Sequence, residues 1–433
     1  MKPSQSAAPA SYPGRRAAIS WCLFDWANSP LPTVIITFVF SAYFARGVVG
    51  NEIEGTVLWS HALTIAGLTV AVLAPILGAI ADQTGPKKPW LAGFSAIGIL
   101  AAGALWFVHP DPSDTLLALI AVGLVLIGTE FANIFYNAML ARVAIPERLG
   151  RVGGWGWALG YLGAIVCLLI ALLVFVQAET PPFGLDKAEA EHVRATALLA
   201  AAWFVIFSIP LLKYVPDDAR QAVSVPVAAR AGLKSLWQTL RSLRDYRDIW
   251  VFLIARMLYA DGLATLFQFG GLYAAGTFGM SFAEIIQFGI ALNVTAGVGA
   301  FGFAWLDDRI GAKPTIAISL VGLICFGFAV LLVEDVFWFW VFAMALGIFI
   351  GPSQSASRTL LTRMAPAEKR TQLFGLYALS GKATSFLGPA LLGWATLTFD
   401  SQRAGMATIL GFWIVGLALL AFVRPASPRA PAV

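Results

Sequence analysis

Five ionisable residues lie deep inside long apolar stretches of this chain: Asp25, Glu130, Arg256, Asp261 and Lys382. An ionisable group at bilayer depth costs at least about 2.5–3.5 kcal/mol on insertion scales, so each one needs a purpose. Their formal charges nearly cancel, and mutual pairing would absorb most of that cost. Glu130, Asn133 and Asn137 share one face at helical spacing, and Asp261, Thr265 and Gln268 form a second polar stripe. Two such stripes fit a wet central cavity and fit lipid badly. Asp25 is followed by Asn28 and Ser29, then by Pro30 and Pro32, which interrupt helical hydrogen bonding. The carbonyls and helix end freed there can meet a polar solute.

Roles follow from charge. Asp25 and Glu130 suit ion coupling or ammonium binding, with buried structural pairing as the alternative. Lys382, far from either end of its stretch, suits a solute carboxylate or an internal acid equally well. Arg256 lies close enough to the end of its span to snorkel to the interface. Arg256 and Asp261 are five residues apart, on different faces, and so are poor partners for each other. Acids and bases together suit a zwitterion.

The elements that must hold these residues are legible from composition. Of 433 residues, 59% are hydrophobic and 12% charged, with mean hydropathy +0.78. Soluble domains run near 45–50% and about 25%. These values describe an integral membrane protein and exclude disordered, collagenous, disulfide-scaffold and nucleic-acid-binding chains. Twelve apolar runs are long enough to cross about 30 Å of hydrocarbon. They fall at about 17–45, 57–80, 89–108, 115–140, 151–177, 194–215, 249–276, 283–306, 313–333, 336–358, 371–398 and 404–424. Residues 1–16 are polar and small, so no cleaved signal peptide is expected.

Of 29 lysines and arginines, 23 fall on the side of both termini when Arg358 is counted with the loop after span ten. Arg46, Lys187, Arg194 and Arg403 lie opposite, and Arg256 and Lys382 lie within spans. The positive-inside rule then puts both termini in the cytoplasm, with the chain in the plasma (inner) membrane.

A signature occurs twice at an offset of 226: Gly78…Asp82…Gly85…Lys87 after span two, and Asp308…Gly311…Lys313 after span eight. Repeated loops in a six-plus-six chain are the mark of a two-bundle secondary transporter. The expected organisation is an all-α integral membrane protein of twelve transmembrane helices in two six-helix bundles, 1–215 and 248–433. They are joined by a linker at 216–247. In that linker Leu233, Leu236, Trp237, Leu240 and Leu243 recur at helical spacing among Arg241, Arg244 and Arg247. This suits a helix lying in the membrane interface or a solvated linker helix.

The first repeat resembles the hallmark loop of the major facilitator superfamily, G-x-x-x-D-R/K-x-G-R/K-R/K, except that Gln83 and Pro86 replace basic residues. That resemblance makes Asp82, Lys87, Asp308 and Lys313 gate residues, with a charge-capped tight turn as the alternative. Phe24-Asp25-Trp26-Ala27-Asn28-Ser29, Phe135-Tyr136-Asn137-Ala138 and the Gly156–Gly163 segment, with Ala255–Tyr259 and Leu379–Lys382, resemble the UMF1 transporters. These are related to the Atg22-like vacuolar amino-acid effluxers. The resemblance implies solute transport by the major facilitator fold, with amino-acid efflux as the best-known role.

The resulting expectation is a secondary active transporter of amino acids or similar zwitterions, with a proton or sodium ion as candidate coupling ion. A broad drug or lipid exporter is the rival within transport, and a non-transporting receptor or scaffold is the rival outside it. No G-x-x-x-x-G-K-[ST] loop occurs; Gly232-Leu-Lys234-Ser235 lacks the upstream glycine. His61, His109 and His192 are scattered, and Cys22, Cys167 and Cys325 lie in apolar runs, so no metal, cofactor or disulfide is expected. No nucleophile–base constellation suggests an enzyme. No nucleic-acid or obligatory protein partner is expected.

Overall fold

The computed structural model describes residues 14–221, 223, 225–241, 246–280 and 282–424. Among the described residues, eleven helices are long and apolar enough to cross a membrane: Arg15–Val48, Glu52–Thr84, Lys88–Phe107, Pro112–Ala138, Pro146–Val176, Glu191–Tyr214, Arg247–Phe278, Gln287–Ile310, Ala312–Leu332, Val336–Met364 and Gln402–Ala421. These are spans one to ten and span twelve. Span eleven is made of two pieces, Arg370–Ser380 and Leu387–Phe399. Large apolar side chains such as Leu68, Leu100, Ile120 and Val298 face outward, as a lipid-solvated surface requires.

The long run at 371–398 is thus interrupted by turns within one span. Pro389 lacks an amide hydrogen, and its ring clashes with the carbonyl four residues back, at Ser385. Proline alone does not break a span here, since Pro75, Pro210 and Pro352 sit inside continuous helices. The weak helix formers Ser380, Gly381, Thr384 and Ser385 immediately before Pro389 make the difference. Span one responds to Pro30 and Pro32 more gently. Its α-helix ends at Asn28 and continues as π-helical turns at Pro32–Phe38 and Phe44–Val48. The Trp203 indole N–H donates to the Trp26 carbonyl at 3.0 Å, satisfying the acceptor that Pro30 freed.

Within the first bundle, span one packs on five and six, and span four on two and three. In the second, seven packs on twelve, and ten on eight and nine. The bundles meet along two seams, span two against the first half of eleven and span five against eight. Close approach needs small residues. A Cβ on Gly78 would lie 2.5 Å from the Thr371 carbonyl, and one on Gly154 would lie 2.7 Å from that of Ala300.

Arg16 covers the ring of Tyr214, and the Arg424 amide donates to Asp248. The start of span one, the end of six, the start of seven and the end of twelve thus share one face, here called the termini face. Both seams lie toward it. A helix at Val225–Arg241 runs across this face, its Gly232 lying against Ala79 and Ile80 of span two. Its Ser235 donates to Gln372 and its Thr239 accepts from Lys369, both on the far bundle. Leu236 is buried, whereas Leu233 and Trp237 are exposed; Leu243 and Arg244 lie outside the described residues.

Candidate functional site

A cavity of about 480 Å³ lies between the bundles, lined by both. It gathers Asp25, Asn28, Glu130, Asn133, Asn137, Arg256 and Lys382. Glu130 of span four and Lys382, in the break of span eleven, pair across the cavity at 3.0 Å. Asn28 donates to Asn133 at 3.1 Å, tying span one to span four.

Arg358, expected as the last residue of span ten on the side of the termini, lies instead well inside that span, which runs on to Met364; it is 3% exposed. A density of lysine and arginine cannot tell a helix interior from its end. The serine and threonine run from Ser353 to Thr362 was the available signal that a polar, helical stretch continues. Arg358 donates to Asp25 at 3.1 Å, to Asn137 at 3.2 Å and to the Gly153 carbonyl at 2.5 Å. Its guanidinium lies over the rings of Trp21, Tyr136 and Trp157. The Tyr136 hydroxyl donates to Asp25 at 2.8 Å. Asp25 therefore has a buried partner from the opposite bundle, and Gly156 leaves room for it, since a Cβ there would lie 2.7 Å from the Asp25 carboxylate.

Two further expectations are corrected. Arg256 does not snorkel to the interface. Its Nη1 donates to the Tyr377 carbonyl at 2.6 Å and to Ser380 Oγ at 2.7 Å, and its guanidinium stacks on the Tyr377 ring. It thus closes the C-terminal end of the first half of span eleven, where a helix dipole favours a cation. Asp261 and Gln268 do not line the cavity. Asp261 is buried with Thr265 against Gly388, at the start of the second half, where the dipole favours an anion; Gln268 is exposed. The five-residue spacing that made Arg256 and Asp261 poor partners lets span seven serve both broken ends of span eleven.

The glycine of the repeated signature takes a positive φ in both copies, although ψ differs, −79° at Gly85 and 161° at Gly311. Gly85 and Gly311 have φ of +95° and +93°, a region that glycine enters without steric cost. Asp82 accepts from the amides of Thr371 and Gln372 at 3.3 and 2.9 Å, at the start of span eleven in the other bundle. Asp308 accepts from those of Gly150 and Arg151 at 2.8 and 3.3 Å, at the start of span five, and from Arg151 Nε at 2.7 Å. Each aspartate caps a helix of the opposite bundle. Expected as gate residues or as caps of a tight turn, the two aspartates instead meet helix starts that no spacing along the chain identifies as their partners. A second repeat, Pro146-Glu147-Arg148 against Pro366-Ala367-Glu368-Lys369, marks those helix starts.

Lys87 pairs with Asp82 at 3.2 Å and donates to the Ala81 carbonyl; burial pushes its ammonium below the usual lysine range. Lys313 departs from the gate expectation. It donates to the carbonyls of Ala421 and Val423, holding the end of span twelve within its own bundle. Its repeat partner Lys87 binds Asp82 and the last turn of span two, whereas Lys313 reaches the end of span twelve. Arg363 pairs with Asp307 at 2.7 Å, an acid that sequence analysis did not single out.

A family model described as vacuole effluxer Atg22 like matches residues 144–430. The chain is 29% identical over 411 residues to the "Uncharacterized MFS-type transporter YxiO" of Bacillus subtilis (strain 168), covering 93% of this chain and 94% of that one. It is 23% identical over 395 residues to the "Autophagy-related protein 22" of Kluyveromyces lactis, covering 83% and 77%. Among solved structures, the major facilitator superfamily transporter FucP in the outward conformation is similar with TM-score 0.76 at 11% identity, covering 95% of this chain and all of that one. The proton:xylose symporter XylE follows with TM-score 0.72 at 13% identity, covering 94% and 95%. At these identities the solved structures speak for the fold alone.

Proposed function

The chain belongs to the Atg22-like vacuole effluxer family of major facilitator transporters, and from that premise we propose that it moves amino acids or similar small zwitterions by alternating access. It is a multi-pass membrane protein and a secondary transporter. The observation that carries the finer reading is the Glu130–Lys382 pair, a carboxylate and an ammonium from opposite bundles meeting at the cavity. A zwitterion presents the same two charges in reverse. It can exchange for the pair, its ammonium taking Glu130 and its carboxylate taking Lys382, without leaving either charge stranded.

In this reading residues 1–215 and 248–433 rock as units about the 216–247 linker, and Asp82, Lys87 and Asp308 hold the termini face shut. That face is cytoplasmic by its lysine and arginine excess, in the plasma (inner) membrane. Asp25 and Glu130 are the groups for ion coupling, with a proton or sodium ion as the coupled species, and export is the favoured direction.

The test uses purified protein in liposomes holding an internal pH dye, with amino acids added singly, with and without a membrane potential, against empty liposomes. A substrate-dependent internal pH change that Glu130→Gln abolishes supports proton-coupled zwitterion transport. Flux of labelled amino acid without a pH change points to sodium coupling or exchange. Absence of flux for the whole panel rejects the zwitterion reading.

A further inference from the structure

The cavity is lined by two carboxylates, Asp25 and Glu130, and three cations, Arg256, Arg358 and Lys382. Arg358 is matched to Asp25 at 3.1 Å and Lys382 to Glu130 at 3.0 Å. Arg256 makes no ion pair among the described residues; its protein partners are the neutral oxygens of Tyr377 and Ser380. Both of those bonds use Nη1, so the edge formed by Nε and Nη2 donates to no described protein acceptor. That edge is the one a carboxylate takes with two parallel hydrogen bonds. Stacking on the Tyr377 ring fixes the guanidinium plane, and Gly381 leaves it room, since a Cβ there would lie 3.2 Å from Nη1.

Resting on the zwitterion reading above, we infer that the preferred solute carries a second carboxylate, which docks on Arg256: an acidic amino acid of net charge −1. Alternating access passes through an occluded state in which the cavity loses contact with water. A neutral zwitterion leaves that state with one uncompensated positive charge, which is expensive in a low-dielectric interior. An amino dicarboxylate leaves none. Its ammonium meets Glu130, one carboxylate meets Lys382 and the other meets Arg256. If Asp25 or Glu130 carries a proton during the cycle, the cavity becomes more positive and the demand for an anion grows. The apolar part of the lining, including Leu263, Ala264 and Phe267 of span seven, accommodates the methylenes between the two ends.

The experiment compares glutamate with its neutral amide counterpart, glutamine, and with succinate, which lacks the amine, in proteoliposome uptake and counterflow on the full chain. Glutamate is expected to be moved about tenfold or more faster than glutamine at equal low concentration, the size of one charge-assisted bidentate contact. Arg256→Gln is expected to bring the glutamate-to-glutamine ratio close to one, and Arg256→Lys to leave it intermediate. The ratio is the deciding readout because Arg256 also closes a helix end. A folding lesion lowers both solutes alike and preserves the ratio, and a preserved ratio in Arg256→Gln overturns the assignment. Wild-type preference for glutamine overturns the charge inference and keeps the zwitterion reading. Succinate, of charge −2, moved as well as glutamate overturns both the net charge of −1 and ammonium binding at Glu130. Movement of none of the three, or of other amino acids alone, overturns the inference.

Discussion

Replacing Arg358 by glutamine strips the densest contact between the bundles in a single step. Three hydrogen bonds disappear, to Asp25, Asn137 and the Gly153 carbonyl, on spans one, four and five of the opposite bundle. Arg358 is 3% exposed, and the Asp25 it leaves behind is mostly buried at the cavity wall, with the Tyr136 hydroxyl as its remaining partner. Removing one partner of a buried ion pair costs about 3–5 kcal/mol, because the stranded charge keeps its desolvation penalty. Opening of the termini face lets water reach Asp25, so the cost falls on the closed arrangement. At about 1.4 kcal/mol per factor of ten, even 3 kcal/mol shifts the closed-to-open ratio by about 100-fold. The assay is a spin-label distance between the exposed residues Glu147 and Glu368, one on each bundle at the termini face, each changed to cysteine. Cys22, Cys167 and Cys325 are changed to alanine in the background. Arg358→Gln should add a longer-distance population comparable to or larger than the original. Adding Asp25→Asn removes the stranded carboxylate and should restore part of the short-distance population. A distance distribution for Arg358→Gln that matches wild type would refute the reasoning.

Other substitutions test the remaining features. Asp82→Ala and Asp308→Ala each remove a cross-bundle helix cap worth about 1 kcal/mol, and the same label pair should report a severalfold rise in opening for each, with nearly additive effects together. Gly154→Val should wedge span five away from span eight, since its Cβ would sit 2.7 Å from the Ala300 carbonyl, and should raise the open population without touching any charge. Gly311→Ala isolates backbone strain, because at φ +93° its Cβ would meet nothing nearer than 3.8 Å; a loss of about 1–2 kcal/mol in thermal unfolding in detergent is expected. Gly85→Ala has a similar φ with a different ψ and also runs into the Ala219 carbonyl, so its loss should be larger; a smaller loss than at Gly311 would refute the crowding argument.

The membrane class, the number of crossings and the doubling of the chain were legible in the sequence because each depends on information carried locally. Apolar length decides a crossing, and an offset of 226 between two Asp…Gly…Lys signatures decides a repeat. Both glycines take a positive φ that glycine tolerates best, although their ψ angles differ. Composition also singled out the residues that a membrane cannot accept unpartnered. What each one partners belongs to tertiary structure. Asp25 and Arg358 are 333 residues apart, and no periodicity along one helix reveals that two helices bring them together. Asp261 and Gln268 were placed on a cavity face by spacing that is correct for the helix. Spacing, however, leaves open how span seven is rotated, and packing against span eleven turned Asp261 to Gly388. The break in span eleven lies between these cases. Gly381, Ser385 and Pro389 made it possible locally, whereas Arg256 at one broken end and Asp261 near the other make it tolerable, because only a folded bundle brings those charges to helix ends in the middle of a span.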